Sequence, residues 1–313
     1  MLDATDAGGT LAAALRRRLP DKSWSEVRAL CTSGKISLDG ERVLDPALRV
    51  RAGQEMALRA NAPRPDTAPP GFRIVFDDAH VVVIEKPSGI SSVPYERKES
   101  GTAMDLIRAA WRRHGKRATA TPLYVVHRID KDTSGLLCFA KTRLAERALH
   151  EVFQRHTAAR AYLAVAEGEI AAPARIESNL VADRGDGIRG STRFPDQGQN
   201  AITYVEPLRR YRGRGEGVVA TLCRVRLETG RTHQIRIHLS ERGHPLVGET
   251  VYVRDLLRAG RQPLPAPRLM LHAGLLGIPH PVTGAPIELR ATPPEDFLTV
   301  VESLGGARAD CQI

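Results

Sequence analysis

The pattern of apolar and polar positions changes period several times along this 313-residue chain. Polar and apolar residues alternate through VVATLCRVRLE at 218–228, as in a strand with one wet face. LLCFA at 136–140 is apolar throughout and reads as a buried strand. Residues 142 to 156 carry Leu144, Ala148, Leu149 and Phe153 at helical spacing, and 162–166 returns as a strand. An earlier helix opens at Thr102 with Asp105, keeps Ile107, Ala110 and Trp111 on one face and ends at Gly115; Trp111 is assigned to the core. Further strands are expected at 73–76 and 81–85 around Asp77-Asp78, and in the two arms of 271–289 around Thr283-Gly284. Strands with a few helices and no strict βαβ alternation predict an α+β domain with a mainly antiparallel sheet.

A small module precedes that domain. Thr10 is placed to cap a helix through Leu19, Ser23 and Glu26 form an S-x-x-E capping box, and Gly34 ends the second helix. A hairpin follows, with strands at 36–38 and 41–44 around the turn dipeptide Asp39-Gly40. NAPRPDTAPPG at 61–71 holds four prolines and a glycine, a semi-rigid linker. The expected organisation is a module at 1–60, a linker at 61–72, a main domain at 73–300 and a frayed tail at 301–313. Residues 183 to 217, with DRGDGIRG and RRYRGRGEG as extremes, read as exposed hairpins or loops, and RRHGKR at 112–117 as a basic surface loop.

Composition narrows the partner. A net charge of +10 and a pI near 9.8 favour a polyanion, and the module concentrates Arg16, Arg17, Arg18, Lys22, Arg28, Lys35, Arg42, Arg49 and Arg51. No run of about 18 apolar residues is present to span a bilayer. The opening MLDATDAGGT lacks the features of a secretory signal, so the expectation is a soluble cytoplasmic protein. Cys31, Cys138, Cys223 and Cys311 stand singly, suggesting neither disulfides nor a metal site.

Two stretches concentrate chemistry. HRIDKDTSG at 127–135 puts an imidazole, a guanidinium and the Asp130 carboxylate ahead of the buried strand; such a carboxylate either caps backbone donors or meets a substrate. In LETGRTHQIRIHLSERG at 227–243, Thr232 reads as the N-cap of a short helix closed by Gly243. Arg231, His233, Arg236 and His238 there are too costly to bury unpaired and should meet anions, either phosphates or Asp130. Lys86 is open between an RNA contact and a cap on the sheet edge.

Together these stretches resemble the RluA-type pseudouridine synthases. HRIDKDTSG matches that family's aspartate segment, and GRTHQIRIHL with GHPLVGETVY its arginine segment; VVVIEKPSGI, RAYLAVAEGEI and LHAGLLGIPHPVTGAPIEL agree in order. The module resembles the RNA-binding domain of ribosomal small-subunit protein four. The resemblance implies a pseudouridine synthase fold with a mainly antiparallel mixed sheet and flanking helices, preceded by a small α/β RNA-binding domain. It implies Asp130 as the catalytic carboxylate, Arg236 as its partner and Tyr162 as a stacking platform for uracil, with Arg128 and Arg231 on RNA beside Arg16, Arg28 and Lys35 of the module. No cofactor, metal or membrane is implied; the partner is RNA, ribosomal favoured and transfer RNA possible, and the protein is expected to be a monomer. His127 and His233 are assigned no chemistry, and His244, Pro245 and Gly248 read as scaffold. Gln199-Asn200, where the family has Gly-Lys, and Glu249, where it has aspartate, depart from the pattern.

Overall fold

The structure, a computed structural model, describes residues 1–62, 68–94, 99–113, 121–213 and 217–313. The centre of the expected linker, most of the basic 112–117 loop and residues 214–216 of RRYRGRGEG lie outside the described residues. The chain divides into two compact units, Met1–Ala68 and Pro69–Ile313.

The first unit holds α1 (Leu11–Arg18), α2 (Trp24–Thr32) and strands β1 (Ile36–Leu38), β2 (Glu41–Arg42) and β3 (Met56–Leu58). Thr10 caps α1, and both bonds of the Ser23–Glu26 capping box form. The turn at Asp39 and Gly40 takes φ of 51° and 83°, as that dipeptide allows. β2 is shorter than the expected arm, and the antiparallel order is β2-β1-β3. Leu11, Leu15, Val27, Cys31 and Ile36 form the core between helices and sheet.

The second unit contains β4 (Arg73–Asp77), β5 (Val81–Lys86), α3 (Ala103–Arg113), β6 (Tyr124–Val125), β7 (Ser134–Ala140), α4 (Arg143–Gln154), β8 (Ala159–Glu167), β9 (Ala174–Val181), β10 (Gly190–Thr192), β11 (Gln199–Arg212), β12 (Val218–Leu227), α5 (Gln234–Glu241), α6 (Arg254–Arg258), β13 (Leu271–Pro279), β14 (Pro286–Arg290) and α7 (Glu295–Ser303). Its eleven strands form one sheet in the order β10-β9-β11-β12-β8-β13-β7-β5-β4, with β14 on β13 and β6 on β7. The single parallel pairing among the described residues joins β13 to β7. Covering on both faces explains the unbroken apolar runs. On one side Val82, Ile84, Leu137 and Phe139 meet Ile107 and Trp111 of α3; on the other Val81, Val83, Leu136 and Cys138 meet Ala145 and Leu149 of α4.

Two expectations are corrected. The segment expected as exposed hairpins or loops contains the 14-residue strand β11, whose charged residues had masked its period. Ala201, Val205 and Tyr211 are buried while Glu206, Arg209 and Arg210 face water, and Pro207 sits at a register shift where a missing N–H costs little. The closing residues do not fray. Val301 is buried in α7, a 3₁₀ turn at Arg308–Cys311 buries Cys311, and Arg308 pairs with Glu295 and Glu302.

The parallel seam demands Gly135, whose φ is +114° and whose added Cβ would lie 2.2 Å from the Ala273 carbonyl oxygen. Gly135→Ala should lower stability by about 2 kcal/mol or more, through strain and overpacking together. Chemical denaturation would check this; a wild-type midpoint would mean the seam yields more easily than its geometry implies.

Candidate active site

Asp130 lies in a turn immediately ahead of β7, and the segment 86–92 holds that turn by its backbone. The Ser92 hydroxyl donates to the Ile129 carbonyl at 2.7 Å and accepts the Ile129 N–H at 3.2 Å. The Lys131 carbonyl accepts from the Gly89 N–H and from Lys86 Nζ, each at 2.9 Å, and the Asp132 carbonyl accepts from the Ser88 hydroxyl at 2.7 Å. Lys86 is buried, and its ammonium donates also to the carbonyls of Pro87 and Ile90. Burial pulls its pKa down to about 7, against the opposing pull of Asp130 and Asp132. It is therefore an internal brace, neither an edge cap nor an open RNA contact. None of these bonds reaches the Asp130 carboxylate, for which no hydrogen bond or ion pair occurs among the described residues.

That carboxylate lines a cavity of about 350 Å³ with Tyr162, Ile235 and Leu271. The sheet sets the spacing: Ala273 of β13 pairs with Gly135 of β7 on one side and with Tyr162 of β8 on the other. Glycine and alanine leave little bulk in the row beside the tyrosine ring. Tyr162 is buried, and desolvation, with Asp130 adding to it, raises its pKa so the phenol stays neutral. At the other end, His127 stacks on Phe153 with ring centres 4.5 Å apart. Its Nε2 accepts the Cys138 N–H at 3.0 Å, so the ring proton sits on Nδ1, and burial followed by Arg160 lowers its pKa to about 3. His127 Nδ1, Thr133 Oγ1 and Arg160 Nε are buried without partners, and all three residues line this cavity. Unmet polar groups on three residues around one hollow suit a polar ligand.

The arginine segment differs from expectation. Arg236 directs its hydrogen bonds to Glu249, not to Asp130: Nε and Nη2 each donate to one carboxylate oxygen at 2.7 Å. Both side chains are almost wholly buried. Burial opposes charge on both, but the paired hydrogen bonds prevail, holding Glu249 below the ordinary carboxylate range and raising Arg236, to which Asp130 adds its field. Glu249 Oε1 also accepts the N–H groups of Thr250 and Val251. Gly248, at φ +77°, lets this loop press against the Arg268 carbonyl. The Tyr252 ring packs on Arg236, and its hydroxyl meets His233 Nδ1 at 2.8 Å.

The N-cap of α5 is His233 at φ 58°, in place of Thr232. Gln234 imposes this, because its carboxamide oxygen reaches back to accept the Arg231 N–H and the Thr229 hydroxyl while its nitrogen donates to Ile202 and Thr203. His238 is used up between Thr203 and Ser178 and is structural. Arg231 lines the cavity and donates to the Asn200 carbonyl. Arg128 is exposed at the cavity rim.

In the first unit, Arg16 is committed to the carbonyls of Leu19 and Pro20, whereas Arg28 is exposed beside the half-exposed Trp24 ring and Lys35 is half-buried. The sequence reading missed Ser92, and it noted Glu249 as a departure from the family pattern without seeing it as the partner of Arg236. A hydroxyl after a Lys-Pro turn was the signal for Ser92, and the acid at the family's aspartate position was the signal for Glu249. Among the described residues, no group of three or more His, Cys, Asp or Glu is arranged to hold a metal, and no helix is long and apolar enough to cross a membrane.

Comparison with known proteins follows this geometry. The sequence pattern of the RNA pseudouridylate synthase family matches residues 80–241, and that of the S4 domain matches residues 10–56. A ribosomal large subunit pseudouridine synthase D from Zymomonas mobilis is 32% identical over 308 residues, covering 95% of this chain and 94% of its own. The protein of that name from Pseudomonas aeruginosa is 33% identical, covering 91% and 88%. The solved structure of human RNA pseudouridylate synthase domain containing 1 shares the fold with a TM-score of 0.58 at 23% identity, over 74% of this chain and 87% of that one.

The buried ion pair generates a pH prediction. Glu249 has a folded pKa below its ordinary 4.5, so its stabilisation is complete above that value and is lost as pH falls through the folded one. Glu249→Gln should cost about 3 kcal/mol at neutral pH by stranding Arg236, and should then lose less than wild type on further acidification. Denaturation at several pH values measures both; equal acid limbs would remove the pair from the pH response.

Proposed function

The chain belongs to the RNA pseudouridylate synthase family, and from that premise we propose that it acts on large-subunit ribosomal RNA with Asp130 as the reacting carboxylate. As a member it is an RNA pseudouridine synthase: it breaks the N1–C1′ bond of uridine, turns the base and joins C5 to C1′. N1 gains a proton and C5 loses one, so the product is an isomer. The observation that carries the assignment is that the Asp130 carboxylate makes no hydrogen bond or ion pair with the described residues and lines a cavity with Tyr162, Ile235 and Leu271.

The residues divide the work. Asp130 acts as nucleophile at C1′ or as base at the 2′ position, and its charge reaches the buried Arg236 guanidinium. Tyr162 offers the flipped uracil a ring, a contact of about 1–3 kcal/mol per base. Arg128, at the rim, fills the space the base vacates. Buried donors on His127 and Arg160, with the Thr133 hydroxyl, suit the carbonyl-bearing edge of uracil. Arg28 and Lys35 on the S4 domain add sequence-independent phosphate contacts. The ribosomal target rests on the names of the relatives, and it puts the enzyme in the cytoplasm.

Tritium release from RNA labelled at C5 of uridine tests the reading. Wild type should release label from large-subunit ribosomal RNA and not from transfer RNA, and Asp130→Asn should bind the RNA while releasing none. Turnover by Asp130→Asn would overturn the assignment, and release from transfer RNA alone would change the substrate. Ser92→Ala, which loosens the turn without touching the cavity that Asp130 shares with Tyr162, should lower kcat roughly tenfold or more with RNA affinity largely kept. An unchanged kcat would mean the turn holds its position without that hydroxyl.

A further inference from the structure

Asp130 and Arg128 stand on a wall between two hollows. Beyond the uridine cavity lies a second, of about 760 Å³, lined also by Lys131, Arg189, Thr232 and His233. Arg189 comes from DRGDGIRG, the loop that departs most from the family pattern and that the proposed mechanism leaves unused. We propose that Arg189 makes this second cavity a seat for the RNA phosphate flanking the target uridine. The inference rests on the synthase reading and extends it to the strand beside the flipped nucleotide.

Three observations carry it. First, the loop is fastened to the body of the domain while Arg189 is left over. Arg184 pairs with Asp186 and Glu241, Arg254 pairs with Asp186, and Asp183 Oδ1 accepts the N–H groups of Gly185 and Gly187. Arg189 is exposed and makes no hydrogen bond or ion pair among the described residues.

Second, its position is stiff. Gly190 opens β10 directly after it and pairs with Val181 of β9, and an added Cβ on Gly190 would meet the Arg184 side chain at 2.2 Å, so the loop closes tightly over that arginine. A cation on a fastened hairpin meets its anion with little further ordering.

Third, Arg189 converges with other cations. Its charge is felt by His233 and Tyr252, the pair that packs beside Arg236, and Arg128 and Lys131 border the same cavity. Asp130 and Glu99 also line it, but Glu99 already accepts the Ser91 hydroxyl. A guanidinium fork matches two phosphate oxygens.

The test uses the full-length protein and a large-subunit ribosomal RNA fragment that wild type converts, comparing wild type, Arg189→Ala and Arg189→Lys. Arg189→Ala should raise KM and Kd about tenfold, the low end of a charge-assisted hydrogen bond. The slope of log affinity against log salt should become shallower by about one, the mark of a lost phosphate contact. Arg189→Lys should restore the slope, which a merely structural role would not predict. Unchanged KM and slope in Arg189→Ala would overturn the inference, as would a loss confined to kcat. Failure of wild type to convert any RNA would instead overturn the synthase reading, so the two are separable.

Discussion

The backbone of a four-residue turn is the constraint on which the rest of this site depends. A carboxylate that must stay unbonded cannot be held by its own oxygens, so its direction has to come from the main chain on either side. Residues 86–92 supply that through Ser92 on both sides of Ile129, Gly89 and Lys86 on Lys131, and Ser88 on Asp132. Burying the Lys86 ammonium is costly, and three carbonyl acceptors offset the cost. The Lys-Pro-Ser-Gly turn after β5 thereby braces the proposed catalytic turn without lining either cavity.

The Arg236–Glu249 pair solves a related problem. A lone buried guanidinium beside Asp130 would be expensive in the empty enzyme, and a direct pair with Asp130 would occupy the carboxylate proposed to react. Bonding Arg236 to Glu249 keeps a fixed positive end near Asp130 while a third group neutralises the burial. Glu249 is in turn fixed by the N–H groups of its own loop, so the pair is braced from both sides.

Local signals were legible where local physics decides. Thr10, Ser23 and Thr142 cap the helices their patterns announced, and LLCFA is buried on both faces as its unbroken run requires. Asp130 and Tyr162 could be singled out as candidates, and the structure brings them to one cavity through the Gly135–Ala273–Tyr162 row. What failed was long-range or compensated. Nothing near Arg236 reveals that Glu249 takes its hydrogen bonds. The αL conformation of His233 follows from contacts of Gln234 with residues thirty positions away, and β11 was hidden because charge on its wet face resembles loop composition.

The role proposed for Asp130 accounts for its placement between two hollows through the connectivity of a nucleotide. The ribose is covalently between its base and its phosphate, so a carboxylate addressing a ribose carbon belongs on the wall between a seat for the base and a seat for the backbone. The first cavity, smaller, sets Tyr162, Phe153 and aliphatic residues such as Ile235 and Leu271 beside Arg128, Arg160 and Arg231, and has the character of a base seat with a cationic rim. The second, larger and bordered by Arg128, Lys131 and Arg189, has that of a backbone seat. Each cavity alone would suit many ligands; the shared wall with an unbonded aspartate narrows the pair to a ligand whose sugar sits where the two meet.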